Sequence, residues 1–152
     1  MADGREYPAR PVVGVGGVVI AEGRVLLIRR GSEPLEGQWS IPGGTLEVGE
    51  TIVEGVRREL AEETGLKVRV GELIEVFERI SPDGDGKIKY HFVILDYLCE
   101  RIRGEARAGS DVTDVAWATE TELGQYGLTP TATRVIQKAF QMASERKSGT
   151  SS

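Results

Sequence analysis

Residues 44–66 read GTLEVGETIVEGVRRELAEETGL, and the conformation of this stretch organises the rest of the chain. Thr51 and Glu54 have the spacing of a helix-capping box, Ile52, Val53, Val56 and Leu60 recur on one side at helical spacing, and Gly65 stands where a helix can close. The pattern predicts a helix over 51–64. In that helix Glu59, Glu62 and Glu63 lie at i, i+3 and i+4, within about 100° of one another, so three carboxylates share one face. At an effective dielectric of ~20 and a separation of ~6 Å, each like-charged pair costs about 3 kcal/mol. That is too much to leave uncompensated beside a packed sheet. Arg58 reaches Glu62 at i+4, but one guanidinium cannot neutralise three acids. Oxygen-preferring divalent cations, Mg²⁺ or Mn²⁺, would do so. The competing reading is a solvated helix face laced with ion pairs, as most Glu-rich helices are.

Outward from this helix, residues 12–20 are β-branched and glycine-rich, as in a buried strand that another backbone approaches closely, and the turn at Glu22-Gly23 leads into a second strand over 25–30. Residues 31–44 are rich in glycine and proline and predict a loop long enough to have a function. After the helix come strand-like runs at 68–80, with a kink at Gly71, and at 88–100, joined by the turn-rich segment 81–86, and a short strand at 112–119. Thr129-Pro130 opens a second helix, with Ala132, Val135, Ile136, Ala139, Phe140 and Ala143 on one stripe. The expectation is an α+β chain with a flexible N-terminal arm at 1–11, one domain over 12–146 and a disordered tail at 147–152.

Composition narrows the function. With 24 acidic against 19 basic side chains and a net charge of -5, the chain lacks the positive surface of a general nucleic-acid binder. No apolar run approaches the ~20 residues of a membrane span, and the start, MADGREYPARP, is too polar for a signal peptide, which implies a cytoplasmic protein with no membrane partner. One cysteine, Cys99, and one histidine, His91, provide neither an internal disulfide nor a Cys/His zinc site, so any metal must be held by oxygen.

Gly44, Glu50, Arg58, Glu59, Leu60, Glu62, Glu63, Gly65 and Leu66 satisfy G-x5-E-x7-R-E-U-x-E-E-x-G-U, with U aliphatic. This resembles the Nudix box, and at ordinary residue frequencies a chance match in this chain is below about one in ten million. The resemblance implies an α/β/α sandwich with a mixed central sheet. It further implies hydrolysis of a nucleoside diphosphate linked to another moiety, X. Carried over residue by residue, Glu59, Glu62, Glu63 and the Gly44 carbonyl would hold the metal. Arg58 would orient the acids, and Glu50, Gly43 and Gly65 would support the loop and helix. Phosphoanhydrides are densely anionic, so their cleavage needs cations to cancel charge and a carboxylate to take a proton from water. Glu59 is the expected base, and Asp111 is the candidate acid from a later loop.

For X, Pro82 lies sixteen residues after Leu66, a spacing similar to that of the ADP-ribose pyrophosphatase branch, although Ser81-Pro82-Asp83-Gly84 is also simply a good β-turn. ADP-ribose, giving AMP and ribose 5-phosphate, is the favoured substrate, and an oxidised nucleoside triphosphate releasing pyrophosphate is the alternative. Trp39 could stack on a base or anchor its loop. Of Arg29 and Arg30, adjacent on a strand, at most one faces the site, and Arg29 is the candidate. Gly55 either opens the site or allows tight helix packing. His91 reads as structural and Cys99 as core. Larger ADP-ribose enzymes carry an N-terminal domain that helps form a dimer, whereas about eleven residues precede the first strand here, which counts against dimer-built recognition of ADP-ribose and leaves a homodimer open. A catalytically silent Nudix module that senses a nucleotide is the remaining reading, disfavoured because all the box acids are present.

Overall fold

The computed structural model describes residues 5–150, with side chains for 5–146. The elements run β1 (Val12–Ala21), β2 (Arg24–Arg30), β3 (Trp39–Ser40), β4 (Gly43–Thr45), α1 (Ile52–Thr64), β5 (Lys67–Pro82), β6 (Ile88–Arg103), β7 (Val112–Thr119), a 3₁₀ helix (Glu120–Tyr126) and α2 (Pro130–Thr150). The seven strands form one mixed sheet. β1 runs parallel to β6, in register from Val12 opposite Phe92 to Val19 opposite Cys99, and β6 pairs antiparallel with β5. The other edge of β1 is shared: Gly14 to Gly16 pair with β4, and the Ile20-Ala21 end turns back into β2, which carries β3 and β7.

Alternation along the strands distributes two cores. Val15 and Val19 of β1 and Leu26 of β2 face α1, where they pack with Val56, Leu60, Leu66 and Cys99. Val18, Val25 and Leu27 face the opposite way and meet Val135, Ile136 and Ala139 of α2. Val56 and Leu60 are fully buried, each worth about 1.5–3 kcal/mol of apolar transfer. Gly17 makes the close contact on the α1 side: a Cβ there would stand 2.9 Å from Leu60 Cδ2 and 3.0 Å from Cys99 Sγ. The result is the expected α/β/α sandwich.

The predicted caps are in place. Thr51 precedes α1 and its hydroxyl oxygen accepts from the Glu54 N–H at 3.1 Å, while Gly65 closes the helix with φ 74 and its N–H bonded to Ala61 O. Thr129 Oγ1 likewise accepts from Ala132 N at the start of α2. The β5–β6 ladder loses register between Val70 and Leu73, which places the expected kink at Gly71.

Three expectations need revision. The segment 31–44 is not all loop, because β3 pairs with β2 and β4 with β1; a glycine-rich strand carries no hydrophobic period, and Gly43 packs where a Cβ would meet Val15 O at 2.3 Å. The 3₁₀ helix at Glu120–Tyr126 is additional, opened by Thr119 N donating to Glu122 Oε1 at 2.8 Å. At the ends, Tyr7 of the expected flexible arm donates its backbone N–H to Lys89 O and its hydroxyl to Asp83 Oδ2, and the backbone of α2 continues through 147–150, inside the expected tail. Residues 1–4 and 151–152 of those two predicted segments lie outside the described residues. Among the described residues no helix is long and apolar enough to cross a membrane.

Candidate active site

The charge cluster is built on Arg58. Its Nε donates to Glu50 Oε2 at 2.6 Å and its Nη2 to Glu50 Oε1 at 2.9 Å, a bidentate fork onto the residue that precedes the helix cap. The remaining donors reach Thr45 O at 3.0 Å and Glu59 Oε1 at 2.8 Å. Glu62, the partner expected at i+4, is a distant one at 3.4 Å and is mostly exposed. The i+4 contact is thus present but secondary, and the fork, which the sequence reading did not assign, is used on Glu50 once β4 brings the loop back over α1. Arg58 first, and then the Glu47 N–H, hold the Glu50 carboxyl down to about 2. Glu50 in turn holds the guanidinium charged.

β4 brings its two glycines against the acids of α1. The Glu59 carboxyl lies so close over Gly44 that a Cβ there would stand 2.5 Å from its carbon and from Oε2. Gly43 N donates to Glu63 Oε1 at 2.8 Å. Glu59 is 9% exposed, and burial raises its pKa despite the Arg58 hydrogen bond. Burial also pushes Glu63 up to about 8, with repulsion from Glu59 and Asp111 adding to it and the Gly43 N–H and Arg30 opposing it. Two neighbouring carboxyls are therefore short of positive charge.

These acids do not gather around one point; among the described residues no three acidic, histidine or cysteine side chains do. What fits a hard divalent cation is the chemistry of the set. Its donors are all oxygen, Glu59 and Glu63 are destabilised as anions by their surroundings, and Gly44 offers backbone with no side chain in front of Glu59.

The acids open on a cavity of about 390 Å³, within the range of small-ligand sites. Its lining brings in residues the sequence reading did not propose: Arg79 and Phe77 of β5, Phe92 and Asp96 of β6, and Thr131 at the start of α2. Burial lowers the pKa of both Arg30 and Arg79, which marks cations held away from water. A usable signal was present in 90–97, where Asp96 interrupts an apolar alternation at a core-facing position.

The other proposed residues are distributed unevenly. Arg30, not Arg29, lines the cavity; Arg29 is exposed and donates to Gly37 O at 3.0 Å, because the β2–β7 pairing turns it outward. Trp39 packs into the α2-side core, edge-on to the Tyr126 ring at 5.2 Å, which is the loop-anchoring role. Pro82 ends β5 opposite Ile88, exposed and outside the cavity lining. Asp111 lines the cavity and accepts from Ser32 Oγ at 2.9 Å. Gly55 serves packing, since a Cβ there would meet Leu46 Cδ1 at 2.7 Å. His91 sits in the β5–β6 ladder opposite Ile80, and Cys99 is buried with its thiol pushed up to about 12 by that burial.

Comparison with known proteins identifies the family. The NUDIX domain model matches residues 10–139. An ADP-ribose pyrophosphatase of Methanocaldococcus jannaschii is 38% identical over 104 residues, a match that takes in 68% of this chain and 59% of that relative's length. A MutT-like protein of Streptomyces ambofaciens is 38% identical over 128 residues, covering 82% of this chain and 76% of its own. Among solved structures, a MutT NUDIX hydrolase from Burkholderia pseudomallei superposes with a TM-score of 0.74 at 30% identity, over 85% of this chain and 98% of that one. With the family model spanning residues 10–139 and a relative 38% identical over 82% of the chain, the chain belongs to the NUDIX family of hydrolases.

Proposed function

We propose that this Nudix pyrophosphohydrolase cleaves within the diphosphate of ADP-ribose, giving AMP and ribose 5-phosphate. The observation that carries the reading is the mixed charge of one cavity, lined both by carboxyls that burial destabilises as anions and by the half-buried arginines Arg30 and Arg79. A diphosphate bound there, with divalent cations against the acids, would satisfy both. The choice of ADP-ribose is supported by the Methanocaldococcus jannaschii relative.

In this reading Glu59, Glu62, Glu63 and the Gly44 carbonyl would hold Mg²⁺ or Mn²⁺, which would supply charge cancellation at the diphosphate and acidify water. The protein's own part is positional. Glu50 and Thr45 O fix the Arg58 guanidinium, and Arg58 holds Glu59 by Oε1. Glu59 Oε2 is then left to take the proton of the attacking water. Gly43 N–H fixes Glu63 in the same way. Arg30, itself braced by Pro34 O at 2.6 Å, and Arg79 bind diphosphate oxygens. Asp111 supplies negative charge at the cavity rim beside Glu63.

Product analysis with Mg²⁺ and Mn²⁺ tests this. AMP with ribose 5-phosphate from ADP-ribose is the expected outcome, whereas faster release of pyrophosphate from nucleoside triphosphates would establish the alternative substrate class. Glu62→Gln combined with Glu63→Gln should lower turnover by at least ~100-fold with the fold retained; undiminished turnover would remove the ligand assignment.

A further inference from the structure

One buried acid of the cavity has no part in the chemistry above. Asp96, on β6, is 4% exposed and lies opposite Gly16 in the parallel β1–β6 ladder. Its carboxyl folds over that glycine, since a Cβ on Gly16 would stand 2.4 Å from Asp96 Oδ1. Among the described residues Asp96 makes no hydrogen bond and no ion pair. Arg79 attracts it and Glu75 repels it through space, and Glu75 is itself tied to Arg134. Every fully enclosed side-chain nitrogen or oxygen among the described residues has a hydrogen-bond partner. The Asp96 oxygens, which have none, therefore keep a face on the cavity they line.

Such a carboxyl is costly in a sheet core, where an unpaired acid gains nothing from packing. Its surroundings indicate what would satisfy it. The same cavity is lined by Phe77, Phe92 and Ile94 and by Thr131 and Ala132 of α2. Apolar and aromatic side chains beside a carboxyl suit a flat heteroaromatic ring with N–H donors at its edge, and a carboxyl repels phosphate. Position agrees. Asp96, Gly16 and Gly43 form one row across β6, β1 and β4, and Gly43 holds Glu63. Two strand spacings put Asp96 about 10 Å from Gly43, Cα to Cα, on the scale of the reach from a nucleotide's phosphate to its base.

We propose that Asp96 is a specificity-determining residue that hydrogen-bonds the amino edge of the substrate's nucleobase. The assignment rests on the nucleotide reading of the cavity but not on the identity of X. Burial pushes the Asp96 carboxyl up to about 7, so near neutrality it is also available as an acid that donates to a ring nitrogen while accepting from the adjacent amino group, the pair of contacts an adenine edge offers.

Calorimetric titration of AMP and of its 6-deamino analogue, purine riboside 5′-monophosphate, into the wild-type protein and Asp96→Ala tests this without turnover. Wild type should prefer AMP by about tenfold, the size of one hydrogen bond to a charged group, and in Asp96→Ala the preference should fall to within about twofold. Asp96→Asn, which keeps one acceptor in the same volume, serves where the alanine variant does not fold and should retain only part of the preference. Equal affinities in wild type, a preference undiminished in the variants, or no binding of either nucleotide would each overturn the proposal. Failure to cleave ADP-ribose while the AMP preference still depends on Asp96 would refute the substrate assignment and leave this one standing.

Discussion

Replacing Arg58 by alanine is the most informative single perturbation of this site. The side chain is 23% exposed, and its nearest acidic neighbours, Glu50 and Glu59, have side chains only 11% and 12% exposed. Exposed ion pairs contribute ~0–1 kcal/mol, but removing one partner of a buried pair strands the other and costs about 3–5 kcal/mol. Glu59 bears that cost, because burial already opposes its charge and Arg58 is the cation bonded to it. Allowing for the solvent that reaches Arg58, a loss of about 3 kcal/mol is expected, which in a chain of this size lowers the melting temperature by roughly 6–12 °C. Arg58→Lys should recover part of this, since an ammonium replaces the charge but not the planar fork onto Glu50 and Glu59. Urea unfolding of metal-free protein measures the loss, and repeating it in a Glu59→Gln background apportions it: with the stranded charge gone, the cost of Arg58→Ala should fall by at least about half. The acid limb supplies a second readout. Arg58 holds Glu50 near 2, below its ordinary value of 4.5, so wild-type protein has this contribution above pH ~4.5 and loses it as pH falls toward 2. Arg58→Ala should lack that part of the slope. If Arg58→Ala unfolds within about 1 kcal/mol of wild type and keeps the acid limb, the hub account is wrong.

Three further outcomes follow from the same geometry. Gly44→Ala should drive the Glu59 carboxyl from its place, because the new Cβ would stand 2.5 Å from it; steady-state assay should show at least ~10-fold lower turnover, with a stability loss of about 1–3 kcal/mol from overpacking. Between pH ~4 and ~7 the folded chain holds a proton on Asp96 that the unfolded chain releases, so stability should decline as pH rises through that window, with Asp96 contributing at most about 4 kcal/mol. Asp96→Asn, followed by unfolding at pH 5 and pH 8, should make that decline shallower, leaving the share that Glu63 contributes by the same sign. Thr51→Ala should cost about 1 kcal/mol, seen as a lower melting temperature, through loss of the cap that receives the Glu54 N–H.

The parts legible in the sequence are those whose physics is local. A helix with its cap, apolar stripe and closing glycine is specified within the residues from Thr51 to Gly65, and three acids on one face follow from its pitch alone. The hairpin at Glu22-Gly23 and the kink at Gly71 are equally local, and the box residues carry the family through their spacing. What the tertiary structure decided depends on which strands lie side by side. Whether Arg29 or Arg30 faces the cavity is set by the partner strand β7, and no property of the two residues distinguishes them beforehand. Arg58 turns to Glu50 because β4 returns the loop over α1, and Trp39 is taken into the core by Tyr126. Asp96 reads in one dimension as a flaw in an apolar strand. Only the pairing of β6 with β1 sets it over Gly16, in line with the acids of α1, because burial and electrostatic neighbourhood belong to the assembled sheet and not to any segment of the chain.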